Sequence, residues 1–223
     1  MRRCEPDVRL FVGNVLWAND RLDALVETVV AVSTRVDAVA LCELTVAQAD
    51  ALDRALAAAL PYAVVEGRDD TEGVGVWSRL ALRGRARWFG AHRGIDAMLH
   101  AETRSIRLCL VHPDPPLPGA VRDWRADLAG IATEAAETDG PVVVCGDFNA
   151  WSGALGSFWR AGFRDAHAAA GVRRRRSWPA HGRWPRVLQL DRALVRDVEV
   201  CGLERVALPG SDHDGFLVEL AVG

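Results

Sequence analysis

Between Tyr62 and Val111, five strand-like segments follow one another with no helical stretch between them. They are Ala63 to Glu66, Val74 to Ser78, Ala86 to Phe89, Ile95 to Ala101 and Ser105 to Val111, divided by turns that contain Gly and Arg. Parallel neighbours in a sheet need crossovers of a dozen or more residues, usually a helix, so this run argues against a single doubly wound sheet. On either side of it the pattern changes. Val8 to Leu16 alternates as a strand, Arg21 to Ser33 carries Leu22, Leu25, Val26, Val29 and Val30 at helical spacing behind an Asn19 or Asp20 cap, and Asp37 to Cys42 is a buried strand closing on Glu43. Thr45 to Leu60 is Ala-rich and helical, halted by Pro61.

Downstream, a loop with Pro113, Pro115, Pro116 and Pro118 leads into an amphipathic helix from Ala120 to Glu137 and a buried strand from Pro141 to Gly146. Trp151 to Ala170 reads as loop and short helices, and Gly171 to Arg186 as an irregular segment. Val187 to Val195, Val198 to Val206 and Phe216 to Val222 read as closing strands. Helices on buried strands at both ends, with strands between, predict an α/β chain whose two sheets pack face to face with helices outside. At 223 residues, residues 1–223 are expected to form one domain.

No run approaches the roughly 20 apolar residues a membrane span requires, and no apolar signal segment follows Met1 to Asp7, so a cytoplasmic monomer is expected. The 27 basic residues are outnumbered by 30 acidic ones, which excludes a global positive field toward nucleic acid. All 27 are Arg, so lysine chemistry is excluded as well. Cys4, Cys42, Cys109, Cys145 and Cys201 are odd in number and far apart, and are expected to be reduced thiols rather than a disulfide frame or a zinc site. His92, His100, His167 and His181 have no ligand spacing and are expected at the surface.

Polar residues gather where apolar runs end: Asn14, Glu43, His112, Asp147 with Asn149, Asp191, and Asp212 with His213. Hard divalent cations take oxygen ligands, so Glu43 with Asn14 or Asp212 can hold Mg²⁺ or Mn²⁺. Asp147 and Asn149, two residues apart, can orient a water from one face of an extended strand. His213 paired with Asp191 would be an oriented imidazole with a stabilised protonated form, and His112 could donate to a phosphate oxygen. An ion pair between Asp191 and Arg192 competes for the same carboxylate.

The segments Gly13-Asn14-Val15, Leu41-Cys42-Glu43, Gly73 to Arg79, Val111-His112-Pro113, Gly146-Asp147-Phe148-Asn149, Leu190-Asp191 and Gly210-Ser211-Asp212-His213 occur in that order. Together they resemble the endonuclease/exonuclease/phosphatase superfamily, whose members include deoxyribonuclease I. The resemblance implies a four-layer α/β/β/α sandwich of two mixed sheets and a Mg²⁺ or Mn²⁺ site. It makes Glu43 the principal metal ligand, with Asn14 close to the metal and Asp212 a metal-side carboxylate. Asp147 would position the attacking water, Asn149 and His112 would contact the phosphate, and His213 with Asp191 would stabilise or protonate it.

The resemblance is nearest to a bacterial phosphatase-type branch, here without transmembrane segments. The expected substrate is a small-molecule or lipid-linked phosphate. A nuclease on DNA or RNA and a recruited enzyme acting on a non-phosphate substrate are the alternatives. Arg79, Trp151, Arg176 and Trp178 are taken as substrate-facing, with Trp184 as a further loop aromatic and Arg173 to Arg176 as the one strong basic patch. Two departures from the family pattern stand out: Arg192 after Asp191, and Asp214 after His213. The Asp214 carboxylate is expected to repel a polyanion.

Overall fold

The computed structural model describes residues 4–102, 104–172, 176–180 and 185–222. Arg173, Arg174, Arg175, His181 and Trp184 lie outside the described residues. The first half of the chain runs β1 (Val8–Asn14), α1 (Leu22–Ser33), β2 (Ala38–Cys42), α2 (Val46–Leu56), β3 (Tyr62–Glu66), β4 (Val74–Ser78), β5 (Ala81–Phe89), β6 (His92–His100) and β7 (Ser105–Val111). The second half runs α3 (Val121–Ala136), β8 (Val142–Asp147), α4 (Gly156–Arg160), β9 (Arg164–Asp165), α5 (Ala166–Ala169), β10 (Asp191–Arg196), β11 (Glu199–Ala207) and β12 (Asp214–Ala221).

The strands form two mixed six-stranded sheets, ordered β11-β12-β1-β2-β4-β3 and β5-β6-β7-β8-β10-β9. Alternation along each strand builds the layers. Leu10 and Val12 of β1 face Leu108 and Val143 in the cluster between the sheets, whereas Phe11 turns outward to Leu25 and Val29 of α1 and Leu52 and Leu56 of α2. On the other outer face, Val111, Val144 and Leu194 meet Trp124, Leu128 and Ile131 of α3. Because both faces of the central strands are covered, they are continuously apolar rather than alternating. The result is the α/β/β/α sandwich. Among the described residues, no helix is long and apolar enough to cross a membrane.

Register decides where the strand ends fall. β1 and β2 are parallel, with Asn14 opposite Cys42, and β12 runs antiparallel to β1. In the other sheet β7 and β8 are parallel, with Val111 opposite Gly146, and β10 opposes β8 with Asp191 across from Asp147. Each sheet therefore delivers the ends of two parallel strands and the start of an antiparallel one to one edge.

Several local expectations need correction. β5 begins at Ala81, not Ala86. Its Arg83-Gly84-Arg85 reads as a turn, but it lies on an edge strand whose outer face is exposed and tolerates charge. The strand expected from Val187 begins only at Asp191, and Val187 and Leu188 are exposed. Asn19 does not cap α1. Its side chain accepts from the Arg21 amide and donates to the carbonyls of Val15 and Pro209, pinning the β1–α1 loop to the β11–β12 loop.

Cys4 and Cys201 are disulfide-bonded, with Cα atoms 5.2 Å apart, so only Cys42, Cys109 and Cys145 are the buried free thiols expected. The 197-residue separation hid a pairing that sheet order brings about. Burial pushes the Cys42 and Cys145 thiols well up and Cys109 to about 12, so these three are unreactive. Thiol titration of the unfolded, non-reduced chain should count three free thiols; five would remove the bond.

His92 and His167 are buried rather than superficial. His92 lies against Phe89 with neither ring nitrogen hydrogen-bonded. Burial, with a smaller contribution from His112, lowers its pKa from 6.5 to about 4. The unfolded chain takes up this proton below pH 6.5 while the folded chain does not until near pH 4. Stability should therefore fall as pH drops through that window, by about 3 kcal/mol when complete. Urea unfolding at pH 7 and pH 4 should show His92→Leu losing correspondingly less than the parent chain; an equal loss would refute this.

Candidate active site

The shared sheet edge brings together side chains from both sheets. Asp147, at the end of β8, is buried and is the hub. Its Oδ2 accepts from Asn14 Nδ2 at 3.2 Å and lies 3.6 Å from His213 Nε2 and 3.8 Å from His112 Nε2. Its Oδ1 accepts from the Asn149 backbone N–H at 2.9 Å, closing an Asx turn. Gly146, one residue earlier, has φ 132°, and a Cβ there would sit 2.0 Å from the Val111 carbonyl, so no other residue suits this crossing.

Glu43 follows β2 in the left-handed region at φ 59°, and Asn149 does so after β8 at φ 46°. Such backbone in non-glycine residues costs of order 1–3 kcal/mol and is concentrated at functional sites. Glu43 Oε1 accepts from Asn14 Nδ2 at 2.7 Å and lies 3.6 Å from His112 Nε2, and its Oε2 accepts from the Trp17 amide. Asn14 Oδ1 accepts from the Leu16 amide at 3.0 Å, which fixes the orientation of the side-chain amide. Asn14 thus turns donors, not an oxygen, toward Glu43 and Asp147. It clamps two carboxylates together where a ligand oxygen was expected.

His112 Nδ1 is 3.1 Å from the Thr71 carbonyl, which makes Nδ1 the donor and leaves Nε2 facing the carboxylates. Asn149 Nδ2 donates to the Pro113 carbonyl and lies 3.5 Å from His112 Nε2. His213 Nδ1 is 2.7 Å from Asp191 Oδ2, both residues being buried. Burial opposes a charge on His213. The carboxylates of Asp191 and Asp147, with the Asp191 hydrogen bond and Asp212, outweigh it and raise the imidazole to about 10. Burial raises the Asp191 carboxyl, against the pull of His213. Asp191 therefore pairs with His213, and the competing Asp191–Arg192 ion pair is not formed.

Asp147, Asp191 and His213 place ligand-type atoms within 4.8 Å of one another. An ion taken up by this trio would displace the proton that the Asp191 and Asp147 carboxylates favour on His213, so binding there would release it. Further oxygen donors for a hard cation flank the same hub. Glu43 reaches it through Asn14, and Asp212 Oδ1 is 3.9 Å from His213 Nε2 while its Oδ2 accepts from Trp178 Nε1 at 2.9 Å. These carboxylates line a cavity of about 480 Å³ that has no arginine among its described lining residues. Among the described lining residues the donors are carboxylate-rich, with neither thiol nor arginine, and such a set fits a divalent cation.

Trp151 and Trp178 line this cavity, with Trp151 resting on Trp124 at 5.2 Å between ring centroids. Arg79 does not reach it. Arg79 donates to the Ser33 carbonyl and pairs with Asp37 at the opposite end of β4, so its expected substrate role is withdrawn. Arg176 is exposed, bonded to the Arg186 carbonyl, and is not part of the lining. Asp214 is not a repelling charge: it is buried between Arg186 and Arg205.

Thr71, Asp114, Pro115, Pro116, Leu188 and Leu190 complete the lining. None was assigned to the site from the sequence, although the Asp114-Pro115-Pro116 stretch after His112 stood out there. Ser177 was given no site role either; its Oγ accepts from the Leu190 and Asp191 amides, and its carbonyl accepts from Asp214 N. Arg192 is buried, paired with Asp165, and donates to the carbonyls of Gln189 and Ala150 beside the Asn149 loop. Removing its carboxylate by Asp165→Ala would leave a buried guanidinium unpaired. The expected loss is about 3–5 kcal/mol in denaturant unfolding; a loss under about 1 kcal/mol would show the pair to be dispensable.

Residues 13–213 match the model of the Endonuclease/Exonuclease/phosphatase family, and the chain belongs to that family. No curated protein sequence matches it. Among solved structures, humanized D. rerio TDP2 superposes with a TM-score of 0.82 at 16% identity, covering 96% of this chain and 98% of that one. D. rerio TDP2 complexed with single strand DNA product gives 0.80 at 17% identity, over the same shares of the two chains. An endonuclease/exonuclease/phosphatase family protein from Leptotrichia buccalis C-1013-b gives 0.75 at 15% identity, over 96% and 99%. At these identities the likeness establishes the fold, which is the two-sheet sandwich of deoxyribonuclease I.

Proposed function

We propose that this chain is a divalent-metal-dependent hydrolase that cleaves a phosphoester or phosphoanhydride bond of a small-molecule or lipid-linked phosphate by metal-assisted water attack. The observation that carries the reading is the convergence on Asp147 of Asn14, His112 and His213, with Glu43 held beside it by Asn14. Glu43 and Asp212 would hold the cation, Mg²⁺ or Mn²⁺. When bound it neutralises phosphate charge and polarises the scissile group.

Asp147 accepts a proton from the attacking water and orients it, with Asn149 fixing the turn that aims the carboxylate. His213, held charged by Asp191, donates at Nε2 toward a non-bridging oxygen or the leaving oxygen, where negative charge grows. His112 Nε2 faces the same Asp147 oxygen, its ring fixed by the Thr71 carbonyl, and would contact the phosphate when it carries a proton. These groups are preorganised by hydrogen bonds already present in the folded chain, so little reorganisation accompanies the reaction.

Hydrolysis of a nucleic acid is the second reading. It draws on the DNA product bound by the D. rerio TDP2 relative and on Asp214, whose charge is cancelled by Arg186 and Arg205. Purified protein should hydrolyse bis-p-nitrophenyl phosphate or p-nitrophenyl phosphate with Mg²⁺ or Mn²⁺, and EDTA should abolish turnover. Glu43→Gln should lower kcat/KM by about 100-fold or more, the scale of losing one strong transition-state interaction. Full activity in EDTA or in Glu43→Gln would overturn the proposal.

A further inference from the structure

The cavity that holds Asp147 and His213 has two unlike halves. One is polar, with the carboxylates and imidazoles already described. The other is an apolar wall made by Trp151, Trp178, Pro115, Pro116, Leu188 and Leu190. Trp151 and Leu188 are 48% and 40% exposed, large apolar side chains left open to the cavity and to solvent. The wall is also stiff. Trp151 is braced by Trp124, Trp178 is tethered through Nε1 to Asp212, and two successive prolines fix the opposite side.

Charge points the same way. The lining includes the carboxylates of Glu43, Asp114, Asp147 and Asp212, and no arginine among its described residues. Sites that bind runs of phosphates provide Arg or Lys for successive backbone charges. Here one phosphate can be satisfied by a cation and the two histidines, and a second or third would meet Asp114 or indole and proline carbon. The cavity volume of about 480 Å³ lies in the range of small-molecule sites, roughly 300–1,000 Å³.

We infer that the substrate is a single phosphoryl group bearing an uncharged apolar substituent, aryl or alkyl, which lies against the Trp151–Trp178–Leu188 wall, and is not a polynucleotide. The inference rests on the phosphoester-hydrolase reading and specifies its substrate class. Apolar burial then supplies binding energy remote from the reacting phosphorus, and fixed aromatic faces orient the ester.

The test is competition against bis-p-nitrophenyl phosphate turnover in the presence of Mg²⁺, using methyl phosphate, hexyl phosphate, phenyl phosphate and the single-stranded decamer of thymidylate. All three monoesters carry the same phosphate charge, so differences report the substituent. Hexyl and phenyl phosphate should have Ki values at least tenfold below that of methyl phosphate, and the decamer should compete no better than methyl phosphate. Trp151→Ala and Leu188→Ser should each shrink the phenyl-to-methyl ratio to within about threefold, and two variants guard against one failing to fold.

Turnover with a flat Ki series, with tightest competition by the decamer, or with a ratio unchanged in both variants would overturn the inference and leave the hydrolase reading standing. Absence of turnover of any phosphoester with Mg²⁺ or Mn²⁺ would overturn the hydrolase reading itself, and the inference with it.

Discussion

A buried carboxylate is costly unless donors surround it, and Asp147 is met by groups from both sheets. Asn14 comes from the sheet containing β1, His213 from the turn before β12 in that same sheet, and His112 from the end of β7 beside Asp147 itself. The contact between Asn14 and Asp147 spans 133 residues of sequence and the whole inter-sheet layer. The site exists only when Leu10, Val12, Leu108 and Val143 have packed the sheets face to face. Stability of the inter-sheet core and geometry of the site are thus one constraint, and a slip of one residue in β8 would turn Asp147 away from both partners.

Much of this was legible in the sequence because polar residues at the ends of apolar strands are costly unless they serve one another. That logic picked out Asn14, Glu43, His112, Asp147, Asn149, Asp191, Asp212 and His213, and the structure gathers all of them on one edge. The long buried strands were readable for the same reason: β4 and β7 have the bounds their apolar runs suggest. What escaped depended on long-range pairing. The disulfide partners are set by sheet order, the Arg192 partner by the placement of β9, and the burial of His92 by its position at the inner end of the β5–β6 hairpin beneath α3. Arg79 was drawn in by the motif around it, yet β4 runs away from the edge and carries it to the far end.

Formal charge proved a poor guide near the site because most of it is cancelled in pairs. Asp214 faces Arg186 and Arg205, and Asp165 faces Arg192. Around Asp147 the carboxyl groups of Glu43, Asp147 and Asp212 have only histidines as cationic partners among the described lining residues. A carboxylate excess with no guanidinium among the described lining residues is unstable by itself, and a hard cation is the simplest neutraliser available to oxygen donors.

The segment flanking residue 181–184 on both sides ties this chemistry to the wall of the cavity. Ser177 holds the amide of Asp191 and, through its carbonyl, the amide of Asp214, so one residue brackets the His213–Asp191 pair on both strands. The next residue, Trp178, gives one face to the cavity and its ring nitrogen to Asp212. Leu188 pairs back on Trp178 through main-chain bonds before the chain enters β10. The apolar residues from Val187 to Leu190 look like strand in sequence. They are withheld from the sheet by this pairing: Leu188, exposed, and Leu190, buried, turn to the cavity, while Val187 is exposed and not part of the described lining.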